Sequence, residues 1–288
     1  MSTSASSSRC SAEQTILGRG PRYGRAGGSR EELRTKIMTK LVHLLFFMLC
    51  MAILDGFISS ANTAEIKVLS DGPLEPALTK IAETFRRESN HTLTFLYGLS
   101  PVIHKKVLDG EVADIVLIQP SFIDELVKAG KLVPGQHPVI GRVGVGLFTR
   151  ADATAPNIST AEALKHALLS ADALVFSNVA TGNYFATVLE RLGISEEVKG
   201  KVTRGSPADV IARVVQGKGN DIGVGTMTLI PLDRRLKLIG PLPRDLQSYL
   251  VYAAAIMNSA PSPDAGKDFV RFLTSPASQA ALAAAGAN

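Results

Sequence analysis

An α/β fold of mostly parallel sheets flanked by helices is the architecture this 288-residue sequence predicts, and three observations predict it. Short apolar or β-branched runs alternate with segments whose apolar residues recur at helical spacing. Turn-forming Gly, Pro, Asn, Asp and Ser separate most of these pairs. Interior runs such as Asp114 to Ile118 are apolar without interruption, as expected of strands covered on both faces.

Taken in order, residues 1–37 are rich in Ser, Gly and Arg and lack apolar periodicity, so they read as disordered or as an over-extended start before Met38. Lys40 then precedes an apolar run from Leu41 to Leu54, followed by the small residues Ser59-Ser60-Ala61 and Asn62-Thr63-Ala64. That is the pattern of an export leader with its cleavage sites. Asp55 and Gly56 end the run at about fourteen residues, short of the roughly 18 to 20 that span a bilayer. Residues 1–64 are therefore expected to be a disordered segment plus a cleaved signal peptide, with a mature chain starting near Glu65 and a periplasmic destination.

Glu65 to Leu69 reads as a strand, Ser70-Asp71-Gly72-Pro73 as a turn, and Leu74, Ala77, Leu78, Ile81, Ala82 and Phe85 as one face of a helix. A second unit follows: a strand Leu93–Tyr97, a helix Pro101–Leu108 stopped at Asp109-Gly110, and a strand Asp114–Ile118. The helix Pro120–Ala129 closes at Gly130. Arg142 to Thr149 is a strand whose glycines at 144 and 146 require a bend or a close approach, a suitable place for a crossover. Ser159 and Glu162 form a capping box for a helix through Leu168; Leu174–Ser177 is a strand and Gly182–Leu192 a helix. A helix Pro207–Gln216, strands Asp221–Val224, Leu236–Ile239 and Tyr249–Met257, and helices Pro263–Leu273 and Pro276–Ala285 complete the chain.

All but one unit of the net charge of +5 belongs to the leader. Residues 1–64 carry eight Lys or Arg against four Asp or Glu, which leaves 23 against 22 in the remainder. The mature part is nearly neutral, and basicity gives no support for nucleic-acid binding. Both cysteines, Cys10 and Cys50, lie in the leader, so the exported part has no disulfide. His91, His104, His137 and His166 share no metal-ligand spacing, and no zinc site or other cofactor is expected. Nor is there a Gly-x-Ser-x-Gly nucleophile elbow.

In parallel sheets, ligands sit beyond the strand carboxyl ends. The informative turns are Ser70–Pro73, Gly98–Pro101, Asn178–Asn183 and Gly225–Thr228, three of which lead into predicted helices. Converging helix N-termini carry unpaired N–H groups and partial positive charge, which makes an anion pocket.

These turns carry a resemblance. Ile66-Lys67-Val68-Leu69-Ser70 with Leu74-Glu75-Pro76-Ala77-Leu78, Tyr97-Gly98-Leu99-Ser100-Pro101, Gly110-Glu111-Val112-Ala113-Asp114-Ile115-Val116, Ala180-Thr181-Gly182-Asn183-Tyr184 and Gly240-Pro241-Leu242-Pro243 together resemble the solute-binding proteins of ABC importers, specifically the molybdate-binding family. The resemblance implies a two-lobed type II periplasmic binding fold, entered twice by crossovers near Gly141–Gly146 and Gln247–Tyr252. The lobes would be 65–145 with 249–288, and 146–248. It implies a monomeric receptor that closes on a small anionic ligand in the interlobe cleft and delivers it to an ABC permease.

Carried over residue by residue, the resemblance makes Ser100 a hydroxyl donor, Tyr249 the ligand tyrosine, and Thr181 and Gly225 backbone contacts. The serine expected just before the first helix is replaced by Pro73, which has neither hydroxyl nor N–H. Asp71 beside it would repel a compact dianion unless it points away. A small anion, an organic carboxylate ahead of a molybdate-like oxyanion, is therefore expected, held by Ser70, Ser100, Thr181, Asn183 and Tyr249, with Arg142 as charge partner and Asp71 and Gly182 completing the lining. Two alternatives stay open: a sensing domain anchored by the Leu41–Ile58 segment, and an enzyme processing a small anion on the same fold.

Overall fold

The computed structural model describes residues 63–287 together with Met38 and Lys40. The apolar run of the leader, the Ser59-Ser60-Ala61 cleavage candidate and the proposed anchor lie outside the described residues. Among the described residues no helix is long and apolar enough to cross a membrane.

The first half opens with β1 (Glu65–Asp71), a single 3-10 turn over Gly72–Leu74, and α1 (Glu75–Ser89). The helix buries Ala77, Leu78, Ile81 and Phe85, the face its spacing predicts, and ends where Asn90 takes the left-handed conformation at φ 58°. Then come β2 (Thr92–Gly98), α2 (Ser100–Leu108), β3 (Ile115–Ile118) and α3 (Pro120–Lys128). Parallel pairing sets β1 between β2 and β3, with Asp71 opposite Gly98 at the carboxyl end. Asp114, just before β3, is a structural carboxylate: it accepts the Lys67 N–H at 2.8 Å and the Ser262 N–H at 2.6 Å, pinning β1 to the C-terminal segment.

The twelve-residue β4 (Val139–Arg150) belongs to both halves. Val139 to Gly144 pair antiparallel with β9 (Tyr249–Ile256), whereas Val145 to Arg150 pair with β7 (Ile222–Thr226) and β8 (Leu236–Pro241). The switch occurs at adjacent residues, Gly144 and Val145. Gly146 must be bare, since a Cβ there would sit 2.8 Å from Met227 and 3.3 Å from the Gly240 carbonyl. Gln247 clasps the switch: its side chain accepts from the Val145 N–H and donates to the Val145 carbonyl, both at 3.1 Å.

The second half adds α4 (Ala161–Ser170), β5 (Leu174–Ser177), α5 (Ala180–Arg191), the short α6 (Ser195–Val198), β6 (Val202–Gly205) and α7 (Pro207–Gln216). β5 runs parallel to both β6 and β7. The chain returns through β9 to α8 (Pro263–Leu273) and α9 (Pro276–Ala284). The complete order is β2-β1-β3-β9-β4-β7-β5-β6, with β8 against β4. Pairing is parallel in the outer strands of each half and antiparallel only where β4 and β9 take part.

Each half-sheet has a core on both faces. In the first, Ile66, Val68, Phe85 and Phe269 pack on one side, and Leu69, Ile103, Val116 and Leu126 on the other. In the second, Phe176, Phe185 and Leu168 oppose Phe148, Val210 and Val214. This two-sided burial explains the uninterrupted apolar strands. One local expectation is corrected: α4 is capped by Thr160, whose hydroxyl accepts the Ala163 N–H at 3.1 Å, while the Ser159 N–H is bound by Asn157.

Candidate functional site

Strand direction locates the site. β9 is antiparallel to both β3 and β4, so β1, β2 and β3 run with β4, and their carboxyl ends point toward the second half. β7 is antiparallel to β4 and β5 and β6 follow β7, so their carboxyl ends point back toward the first. The turns after all six parallel strands therefore converge on the Gly144–Val145 switch.

On the first-half side, Ser100 is the first residue of α2 and fully buried. Its N–H donates to Asp71 Oδ2 at 3.0 Å, and its hydroxyl donates to the same oxygen. The Gln119 N–H in turn donates to Ser100 Oγ at 3.3 Å, linking the turns after β1, β2 and β3. Ser70, also buried, donates to the Asp71 carbonyl at 3.1 Å. Asp71 thus does not point away. It is 3 % exposed and takes both the Ser100 N–H and the Ser100 hydroxyl, the donor that the sequence reading assigns to a ligand.

No cation bonds to this carboxylate among the described residues. Burial pushes its pKa up, and the Ser100 hydroxyl, the Ser100 N–H and the Gly72 amide only partly oppose the shift. Both Ser100 bonds fall on Oδ2, so a proton taken by Asp71 belongs on Oδ1.

Tyr252 was not singled out from sequence because the apolar run around it reads as core. It is fully buried, yet among the described residues its hydroxyl has no hydrogen-bond partner. Burial raises its pKa, and the nearby Asp71 carboxylate raises it further, so the hydroxyl lies within electrostatic reach of Asp71. Among the described residues, Thr228, in the turn after β7, is the other buried hydroxyl without a partner.

The remaining expected residues fall as follows. Tyr249 is 53 % exposed and pairs with Gly144 in the β9–β4 ladder; Arg142, two residues before Gly144, is exposed opposite Val251. By strand alternation Arg142 and Tyr249 share the sheet face of Asp71, because Val251 and Ala253 lie on the face of Leu69. Asp71 and Arg142 are three ladder spacings apart and two residues out of register, about 16 Å between backbones. In the second half, Thr181 Oγ1 lies 3.3 Å from Ser177 Oγ. Gly182 is dictated by contact: a Cβ there would sit 1.9 Å from the Ser177 carbonyl oxygen. Gly225 packs against Phe148, 3.3 Å from where its Cβ would be.

Asn183 accepts a bond from Arg204 through its side-chain oxygen. Arg204, in β6, also donates to the Ser177 carbonyl at 3.0 Å and lies over the Phe176 ring at 5.1 Å. It is a cation at the carboxyl end of β5 that sequence reading missed together with its strand.

The family model for bacterial extracellular solute-binding proteins matches residues 66–288. Among solved structures, the chain resembles the periplasmic molybdate-binding protein of Azotobacter vinelandii, with TM-score 0.63, 17% identity, and coverage of 77% of this chain and 98% of that one. It also resembles the sulfate-binding protein of Mycobacterium tuberculosis, with TM-score 0.60, 20% identity, and coverage of 78% and 86%. These likenesses identify the fold as that of type II periplasmic binding proteins. A curated relative, an aconitate isomerase from a Pseudomonas species, is 24% identical over 216 residues, 73% of this chain and 82% of that protein.

Proposed function

We propose that this chain, which belongs to the bacterial extracellular solute-binding protein family, is an exported receptor that captures a small organic polycarboxylate between its two halves and delivers it to an ABC permease. The observation that carries the choice of ligand is Asp71: a buried carboxylate, without a cation, occupying the Ser100 donors. A compact, fully ionised oxyanion placed at the head of α2 would meet that carboxylate instead of open donors. A polycarboxylate can set one group beside Asp71 and its others toward Arg142, Arg204 and the second-half helix N-termini. Tyr252, Thr181 and Tyr249 are the hydroxyl donors in this reading, the Ser70 hydroxyl being spent on the Asp71 carbonyl, and Arg204 joins Arg142 as charge partner.

The test is a thermal-shift screen followed by titration calorimetry with tri- and dicarboxylates against molybdate, tungstate and sulfate. Polycarboxylates are expected to stabilise the protein, by about 2.7 kcal/mol at a hundred times the dissociation constant. Tight molybdate or tungstate binding with no response to any carboxylate would overturn the proposal.

A second reading is an isomerase that moves a proton between carbons of an unsaturated tricarboxylate, favoured by the 24% identity to an aconitate isomerase and by a buried carboxylate with a raised pKa. Asp71 would then act as the base, and Tyr252 would steady the negative charge that develops on the substrate. Incubation with cis- or trans-aconitate separates the two: a receptor returns its ligand unchanged, an isomerase returns a mixture of the two.

A further inference from the structure

We propose that the site takes up its anion together with one proton, shared between Asp71 and a carboxylate of the ligand, and that this sharing sets its preference for carboxylates over fully ionised oxyanions. The inference rests on the receptor reading above and deepens it.

The geometry leaves the Asp71 carboxylate few other ways to coexist with an anion. Asp71 ends β1, where the turns converge, and is 3 % exposed. Its surroundings hold no compensating cation. α2 presents the Ser100 N–H and hydroxyl; its His104, one turn on, is paired with Glu125 of α3 at 3.1 Å. β9 brings Tyr249 on the same face, and the Tyr252 hydroxyl, without a partner among the described residues, on the other. From β2 comes Tyr97, whose charged neighbour is Glu75 of α1. Arg142 shares the face but belongs to β4, three strands away. An ionised Asp71 beside a ligand carboxylate, about 5 Å apart, would weaken binding by about three hundredfold at an effective dielectric near 20. A proton from solvent, added to Asp71 Oδ1, replaces that repulsion with an O–H···O⁻ hydrogen bond. Nothing is oxidised or reduced, and no other bond is made or broken.

A cationic ligand would also neutralise Asp71. The helix N-termini converging from both halves, with Arg204 among them, oppose a cation.

The experiment is calorimetry of the wild-type protein with tricarballylate at pH 7.5, in phosphate and in Tris, whose ionisation enthalpies differ. The expected result is uptake of close to one proton per ligand bound, and a dissociation constant that rises about tenfold per pH unit between pH 7 and 9. Asp71→Asn should bind with no proton uptake and no such slope. Wild-type binding with no uptake and no slope overturns the inference and leaves the receptor reading standing. Failure of every carboxylate to bind overturns that reading and this inference with it. Should Asp71→Asn fail to fold, the wild-type slope alone decides.

Discussion

Asp71→Asn tests the site without any ligand. The amide keeps the shape of the carboxyl group, and its oxygen can accept the two bonds that Ser100 directs at Oδ2. Two bonds to a charged acceptor are worth about 1.5 to 3 kcal/mol each, yet the pKa of Asp71 is raised, so burying the charge must cost more than those bonds return. The amide avoids the charge and keeps two neutral bonds of about 1 kcal/mol each. A net gain of about 1 to 3 kcal/mol at pH 8 is expected.

The sign of the pH dependence follows from the direction of the shift. With its pKa raised by folding, Asp71 binds its proton more tightly in the native state than in the unfolded one. The stability it contributes is fully present below the unfolded value near 3.9 and is lost as pH rises through the native value. The advantage of Asp71→Asn should therefore be large at pH 8 and small or absent at pH 4. Urea denaturation of both proteins at pH 4, 6 and 8 measures it. A variant less stable than wild type at pH 8, with the deficit shrinking toward pH 4, would show that the Ser100 bonds outweigh burial, and would refute the reasoning.

Two more substitutions separate site from scaffold. Tyr252→Phe removes a buried hydroxyl that has no partner, so the ligand-free protein should be unchanged or up to about 1 kcal/mol more stable in urea. Tricarballylate binding should weaken by about tenfold; unchanged affinity would return Tyr252 to the core. Gly182→Ala places a methyl group 1.9 Å from the Ser177 carbonyl oxygen, a backbone atom that cannot turn aside. It should cost about 3 kcal/mol or more or abolish soluble expression, and a denaturation midpoint within experimental error of wild type would refute the contact.

The difference between what could be read from the residues and what could not is physical. Strands buried on both faces announce themselves by composition, and Leu174–Ser177 and Pro207–Gln216 fall where periodicity puts them. The strand Val202–Gly205 was missed because it is a four-residue edge strand, Val-Thr-Arg-Gly, with no apolar run to mark it. Its loss hid Arg204 and left the cationic role to Arg142 alone. The capping box that starts the next helix, Ser206 with Asp209, was a local signal that could have marked where that strand ends.

The candidate site was harder to read because its chemistry depends on register and depth. Ser100 at a helix start is visible in sequence, but whether its donors face a ligand or the chain's own carboxylate depends on Asp71 standing opposite Gly98 in the β1–β2 ladder. Likewise Tyr249 and Tyr252 differ by three positions in one strand, so they lie on opposite faces of the sheet. One is half exposed over Gly144 and the other is buried with an unspent hydroxyl. A motif can name the strand on which a tyrosine sits; only the pairing shows that Tyr249 shares the face of Asp71 while Tyr252 packs with Ile66 and Val68 on the other. The replacement of the expected serine by Pro73 and the inward turn of Asp71 then act in the same sense, each removing a feature that suits a bare dianion. Together they point toward a ligand able to share a proton.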